Sequence, residues 1–81
     1  MSTIQKFVRL PNNEVIIFSN KIEHLAFSKL NPISAGFCVI DIDDKRVNCF
    51  GESHTLQLEA DEYVDTDHAT SQIFGSSPQE N

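Results

Sequence analysis

Chemistry in this chain of 81 residues would have to come from a few places. Gly51-Glu52-Ser53-His54 sets a hydroxyl beside an imidazole and a carboxylate, the group types of a hydrolytic site. The spacing works against that use. Neighbours along a strand point to opposite faces, so Ser53 and His54 diverge. A nucleophile elbow also needs G-x-S-x-G, and the second glycine is missing. The run therefore predicts a turn. The other nucleophile is a thiol. Cys49 set across a strand pair from His54 is the one arrangement with reactive potential, because a neighbouring imidazole can lower a thiol pKa. It defines the alternative reading, a small thiol-dependent enzyme using Cys49 and His54. Adjacent strands make a Cys38–Cys49 bridge geometrically conceivable, but in a reducing cytosol both side chains behave as small buried hydrophobes.

Metal chemistry has little support in the spacing. The segment Asp61-Glu62-Tyr63-Val64-Asp65-Thr66-Asp67-His68 is rich in oxygen ligands, yet it lacks the glycine and the spaced terminal Glu of an EF-hand loop. Carboxylates also gather where a helix begins, since they favour the positive end of its dipole. His24, His54 and His68 are too scattered for zinc, and the cysteines have no C-x-x-C spacing. No glycine-rich phosphate loop is present. No cofactor is expected.

The elements that would position these residues are written more clearly. Residues 34–59 alternate apolar and polar side chains with a period of two, which predicts a three-strand antiparallel meander over 35–59. Asp43, Asp44 and Lys45 make the first reversal. A two-residue loop at Asp43-Asp44 and a four-residue loop from Ile42 to Lys45 both set Ile40 opposite Val47, Cys38 opposite Cys49 and Asp41 opposite Arg46. Gly51-Glu52 reads as a type II′ turn, which would set Val47 opposite Leu56 and Cys49 opposite His54. Ile40, Ile42, Val47, Leu56 and Leu58 would then share one apolar face.

Strands over 4–10 and 14–19 flank the turn signal Pro11-Asn12-Asn13. The unbroken run Val15 to Phe18 predicts a central strand or a covered edge. Asn20 and Glu23 fit a capping box for a helix over 21–30, with Ile22, Leu25, Ala26 and Leu30 inward and Asn31-Pro32 as its end. A second helix over 66–74 would be capped by Asp65 or Thr66, would pack through Ala69 and Ile73, and would end at Gly75. The expected fold class is α+β, an antiparallel sheet with both short helices on one face. One domain would span 1–75, with a polar, disordered tail over 76–81.

Charge narrows the partners. The net charge is −6, and it is divided unevenly. Residues 1–40 carry four cations against two acids, whereas 41–81 carry ten acids against Lys45 and Arg46. Phosphate backbones repel such a C-terminal half, so no nucleic acid is expected. No apolar run is long enough for a membrane span, and Lys6 and Arg9 interrupt any leader pattern, so a cytoplasmic protein is expected. These features predict a non-catalytic interaction or regulatory protein. It would bind another protein through Asp61, Glu62, Asp65 and Asp67, or bind itself as a homodimer through the Phe37/Phe50 sheet face or the edge near Val15 to Phe18.

Pro32-Ile33-Ser34-Ala35-Gly36-Phe37 and Val47-Asn48-Cys49-Phe50-Gly51-Glu52-Ser53, with Thr55-Leu56, resemble the paired motifs of a family of small uncharacterised bacterial proteins. The resemblance spans Phe18 to Leu58 and implies a compact α+β domain. It brings no activity, cofactor or catalytic residue. The family pattern turns basic after Leu58, where this chain has the acidic Glu59-Ala60-Asp61-Glu62.

Overall fold

The structure is a computed structural model that describes residues 3–75, so the tail expected over 76–81 lies outside the described residues. Strands β1 (Ile4–Arg9), β2 (Val15–Phe18), β3 (Ser34–Asp41) and β4 (Arg46–Phe50) form a four-stranded antiparallel sheet in the order β2-β1-β3-β4. Strands β5 (Glu52–Ser53) and β6 (Leu58–Glu59) form a separate small hairpin. A 3-10 helix, His24–Leu30, and a helix α1, Glu62–Phe74, complete an α+β fold with two short helices.

The β3–β4 hairpin has the expected register, with Ile40 opposite Val47, Cys38 opposite Cys49 and Asp41 opposite Arg46. Its loop is the four-residue form. The Lys45 N–H reaches the Ile42 carbonyl at 3.3 Å, and Asp41 Oδ1 accepts from the Asp44 N–H at 3.0 Å.

The second reversal differs from the expected type II′ turn. Gly51 takes a φ of 80°, but the chain leaves the sheet there instead of folding back on β4. Strand β5 pairs with β6, and the Ala60 N–H closes the excursion on the Gly51 carbonyl at 2.9 Å. Gly36 makes this path possible, because a Cβ there would lie 2.4 Å from the Phe50 carbonyl oxygen. Cys49 and His54 are therefore not partners. Leu56 and Leu58 pack beside Val8, Phe18 and Ala35, on the face away from Ile40 and Val47, and Ile42 is exposed at the loop.

The helices lie on opposite faces of the sheet. Helix α1 covers the face bearing Phe7, Cys38, Val47 and Cys49 through Ala69. The 3-10 helix covers the other face through Phe27, and Phe18 meets both His24 and Phe27. The capping box does not form. Glu23 is the N-cap without a side-chain bond, and the Asn20 amide donates to the Ile4 carbonyl at 2.6 Å instead. Tight 3-10 winding aligns residues three apart. His24 and Phe27 share one such row and face inward, while Ile22, Leu25 and Ala26, expected inside, are exposed, as is Leu30 at the last residue of the helix.

Helix α1 starts earlier than expected, with Asp61 as N-cap accepting from the Val64 N–H at 3.1 Å. Its polar side chains bind both edge strands. Thr66 Oγ1 accepts from the Cys49 N–H and Thr70 Oγ1 from the Val47 N–H, each at 2.9 Å. On the far edge the Gln72 amide accepts from the Val15 N–H at 2.8 Å and donates to the Val15 carbonyl at 2.5 Å. The apolar run Val15 to Phe18 is thus an edge strand whose first residue is covered by the chain's own helix.

Candidate functional site

The acidic segment expected to form one surface is split by the start of α1. Asp65 is fully buried. Its Oδ1 accepts from Arg9 Nε at 2.5 Å and from Ser34 Oγ at 2.8 Å, and its Oδ2 accepts from the Asp61 N–H at 2.8 Å. It joins β1, β3 and the helix N-terminus, so it is a structural ion pair and not a partner-facing group. A capping aspartate at position 61 and helical periodicity account for the split, because the helix turns residue 65 toward the sheet.

Asp61, Glu62 and Asp67 remain exposed. Between them stands Tyr63, 86% exposed. Tyr63, Asp67, Thr66, Thr70 and Arg46 line a shallow cleft of about 210 Å³ between α1 and β4. Sequence reasoning missed Tyr63. The signal was an aromatic two residues after a capping aspartate, but the helix had been expected to begin only at Asp65 or Thr66.

The thiol–imidazole arrangement is not assembled. Burial pushes the Cys49 thiol up to about 12, with the Cys38 and Asp65 charges adding to the rise and the Thr66 hydrogen bond opposing it. Burial alone pushes Cys38 up to about 11. The His54 side chain is 90% exposed and pairs with Glu52 at 3.0 Å. Neither thiol has the electropositive, open surroundings that make a cysteine nucleophilic.

Phe37 and Phe50 do not form an open apolar face. Their rings stack with centroids 6.2 Å apart, and the His24 ring stands nearly perpendicular to Phe37 with centroids 5.7 Å apart. Both are half-buried. His24 is itself buried, and its Nε2–H donates to the Gly36 carbonyl at 2.7 Å, an oxygen that can only accept. Burial lowers the His24 pKa, the bond to Gly36 opposes that shift, and the Lys6 charge adds to it. Beside these rings an open cleft of about 470 Å³ runs along the β5–β6 hairpin, with Lys6, Glu23 and Glu52 at its rim. Its charges are of mixed sign and do not converge. Among the described residues no three His, Cys, Asp or Glu side chains come together to hold a metal ion, and no helix is long and apolar enough to cross a membrane.

Neither a protein-family model, nor a curated protein, nor a solved structure matches the chain. The resemblance over Phe18 to Leu58 accordingly rests on its motifs alone.

Proposed function

We propose that this chain is a non-catalytic interaction protein that binds a basic segment of another protein through the start of α1. The exposure of Tyr63 among Asp61, Glu62 and Asp67 carries the reading. Tyrosine contributes strongly at interfaces because it offers a large rigid surface and one polar tip. Carboxylates beside it steer and orient Lys or Arg side chains, which can also lie over its ring. Neutralising the surface tests the proposal without touching the fold. Asp61→Asn keeps the cap, and Glu62→Gln and Asp67→Asn remove charge at exposed positions. Combined with Tyr63→Ala, these changes are expected to abolish recovery of a co-purifying partner at low salt. Recovery by the wild-type chain should itself fall as salt rises. Undiminished recovery by the fourfold variant would rule out this surface.

Self-association is a second reading, and a different observation favours it. Leu25 and Leu30 of the 3-10 helix and the flanking Ile22 and Ile33 are all about half exposed, so this short stretch of chain leaves four large apolar side chains open to water.

A further inference from the structure

Cys38 and Cys49 face each other directly across β3 and β4, and both belong to the core under α1. The kind of cross-strand pair they form follows from hydrogen bonding. The N–H groups of Val47 and Cys49 point off the sheet toward Thr70 and Thr66, so they do not bond to β3. Cys38 and Cys49 therefore occupy a non-hydrogen-bonded site, where facing Cα atoms approach to about 4.5 Å. Disulfides accept Cα separations of about 4.4–6.8 Å, so the pair falls within the window, at its short end. Both side chains already point into the same cluster, so bond formation needs no strand slip.

We propose that Cys38 and Cys49 are a redox-modification site that closes to a reversible intramolecular disulfide by exchange with a low-molecular-weight disulfide. One thiol gives its proton to solvent, and its thiolate attacks a sulfur of R–S–S–R, releasing one RS⁻ and leaving a mixed disulfide. The second thiol then loses its proton and attacks the protein sulfur of that mixed disulfide, releasing the second RS⁻. Two electrons pass from the protein sulfurs to the small disulfide, which leaves as two RSH after protonation. The product is reversible because a thiolate RS⁻ in excess attacks the protein disulfide and runs the same two exchanges backward.

Exchange is gated by the fold. Both sulfurs are buried, so attack requires β4 to separate from α1, which breaks the contacts of Thr66 and Thr70 with Cys49 and Val47. Burial also holds the thiols in their protonated form until that opening occurs. The reaction is therefore slow in the closed molecule and quick once the edge opens.

The full-length chain tests this in mixtures of oxidised and reduced glutathione, approached from both the dithiol and the oxidatively refolded form. The expected product is a monomer lighter by two hydrogens, with Cys38 linked to Cys49 in the peptide map and the circular dichroism of the reduced chain retained. Thr66→Val should speed its formation about tenfold by favouring edge opening, with the same end point. Cys38→Ser should stop at one mixed disulfide on Cys49. The proposal is overturned by persistent mixed disulfides on both cysteines, by an intermolecular dimer, or by an oxidised chain that fails to regain the reduced fold.

Discussion

Asp65 was expected among four surface acids and instead holds the interior together. Arg9, Ser34 and the Asp61 N–H all converge on its two oxygens. Removing one member of a buried ion pair leaves the other charge uncompensated and costs about 3–5 kcal/mol. A chain of 81 residues has only roughly 4–12 kcal/mol of total stability. Asp65→Asn should therefore remove a large part of that stability, with its denaturation midpoint in urea falling by about a quarter or more. His24 is a second buried polar group with a consequence at this scale. Its folded pKa lies below the usual 6.5, so the unfolded chain binds the proton more readily. The stability that depends on neutral His24 is complete above about pH 6.5 and is lost as pH falls from there toward the folded pKa. Urea titrations between pH 7.5 and 5 should show this loss. His24→Phe, which keeps the ring between Phe18 and Phe37, should show a shallower slope, and an unchanged slope would assign the pH dependence elsewhere.

The β3–β4 hairpin was legible because its information is local. A period-two pattern on both sides of one polar loop allows a single register when one face must be buried. The β5–β6 excursion was not legible, because what redirects the chain at Gly51 is the space left by Gly36, a residue fifteen positions earlier. The same long-range cause hid the role of α1. Thr66, Thr70 and Gln72 look like ordinary polar helix residues until both sheet edges are in place. The 3-10 segment turns a different face inward from the one expected, with His24 and Phe27 in one row at three residues per turn toward the sheet and Leu25 and Ala26 outward. Two predictions belong here. Gly36→Ala forces a Cβ against the Phe50 carbonyl and should cost about 1–3 kcal/mol, read as a lower thermal midpoint. Thr70→Val keeps the shape but leaves the Val47 N–H unpartnered, at a cost of about 1–3 kcal/mol. Faster hydrogen exchange at the Val47 and Cys49 amides than at those of β1 would show that the loss is confined to the β4 edge.

At the scale of the molecule, charge and exposed apolar surface are divided. Asp61, Glu62 and Asp67 are exposed on the helix turns around Tyr63, whereas Ile22, Leu25, Leu30 and Ile33 lie with Lys21 and Lys29 in the less acidic half of the chain. The Phe37/Phe50 face is partly filled by His24 and by the backbone at Gly51, and Gln72 covers part of the β2 edge, so neither of the two surfaces first expected to pair copies is fully free. Self-association should then use the 3-10 helix and its flanks. A two-fold contact sets each such patch against its own copy, so Leu25, 53% exposed, would lose water twice in one interface. Burying an exposed leucine contributes about 1.5–3 kcal/mol at most, of which only the exposed half is available here. Two copies of Leu25→Lys should accordingly weaken a dimer by at least tenfold, since about 1.4 kcal/mol is one decade in the equilibrium constant and like charges would face each other. Sedimentation equilibrium over micromolar concentrations is the measurement. The wild-type mass should rise with concentration and the Leu25→Lys mass should stay monomeric over the same range. If both chains are monomeric throughout, the self-association reading fails while binding at Tyr63 is unaffected. If both dimerise equally, the contact lies at another surface, and β2 beyond Gln72 becomes the place to substitute.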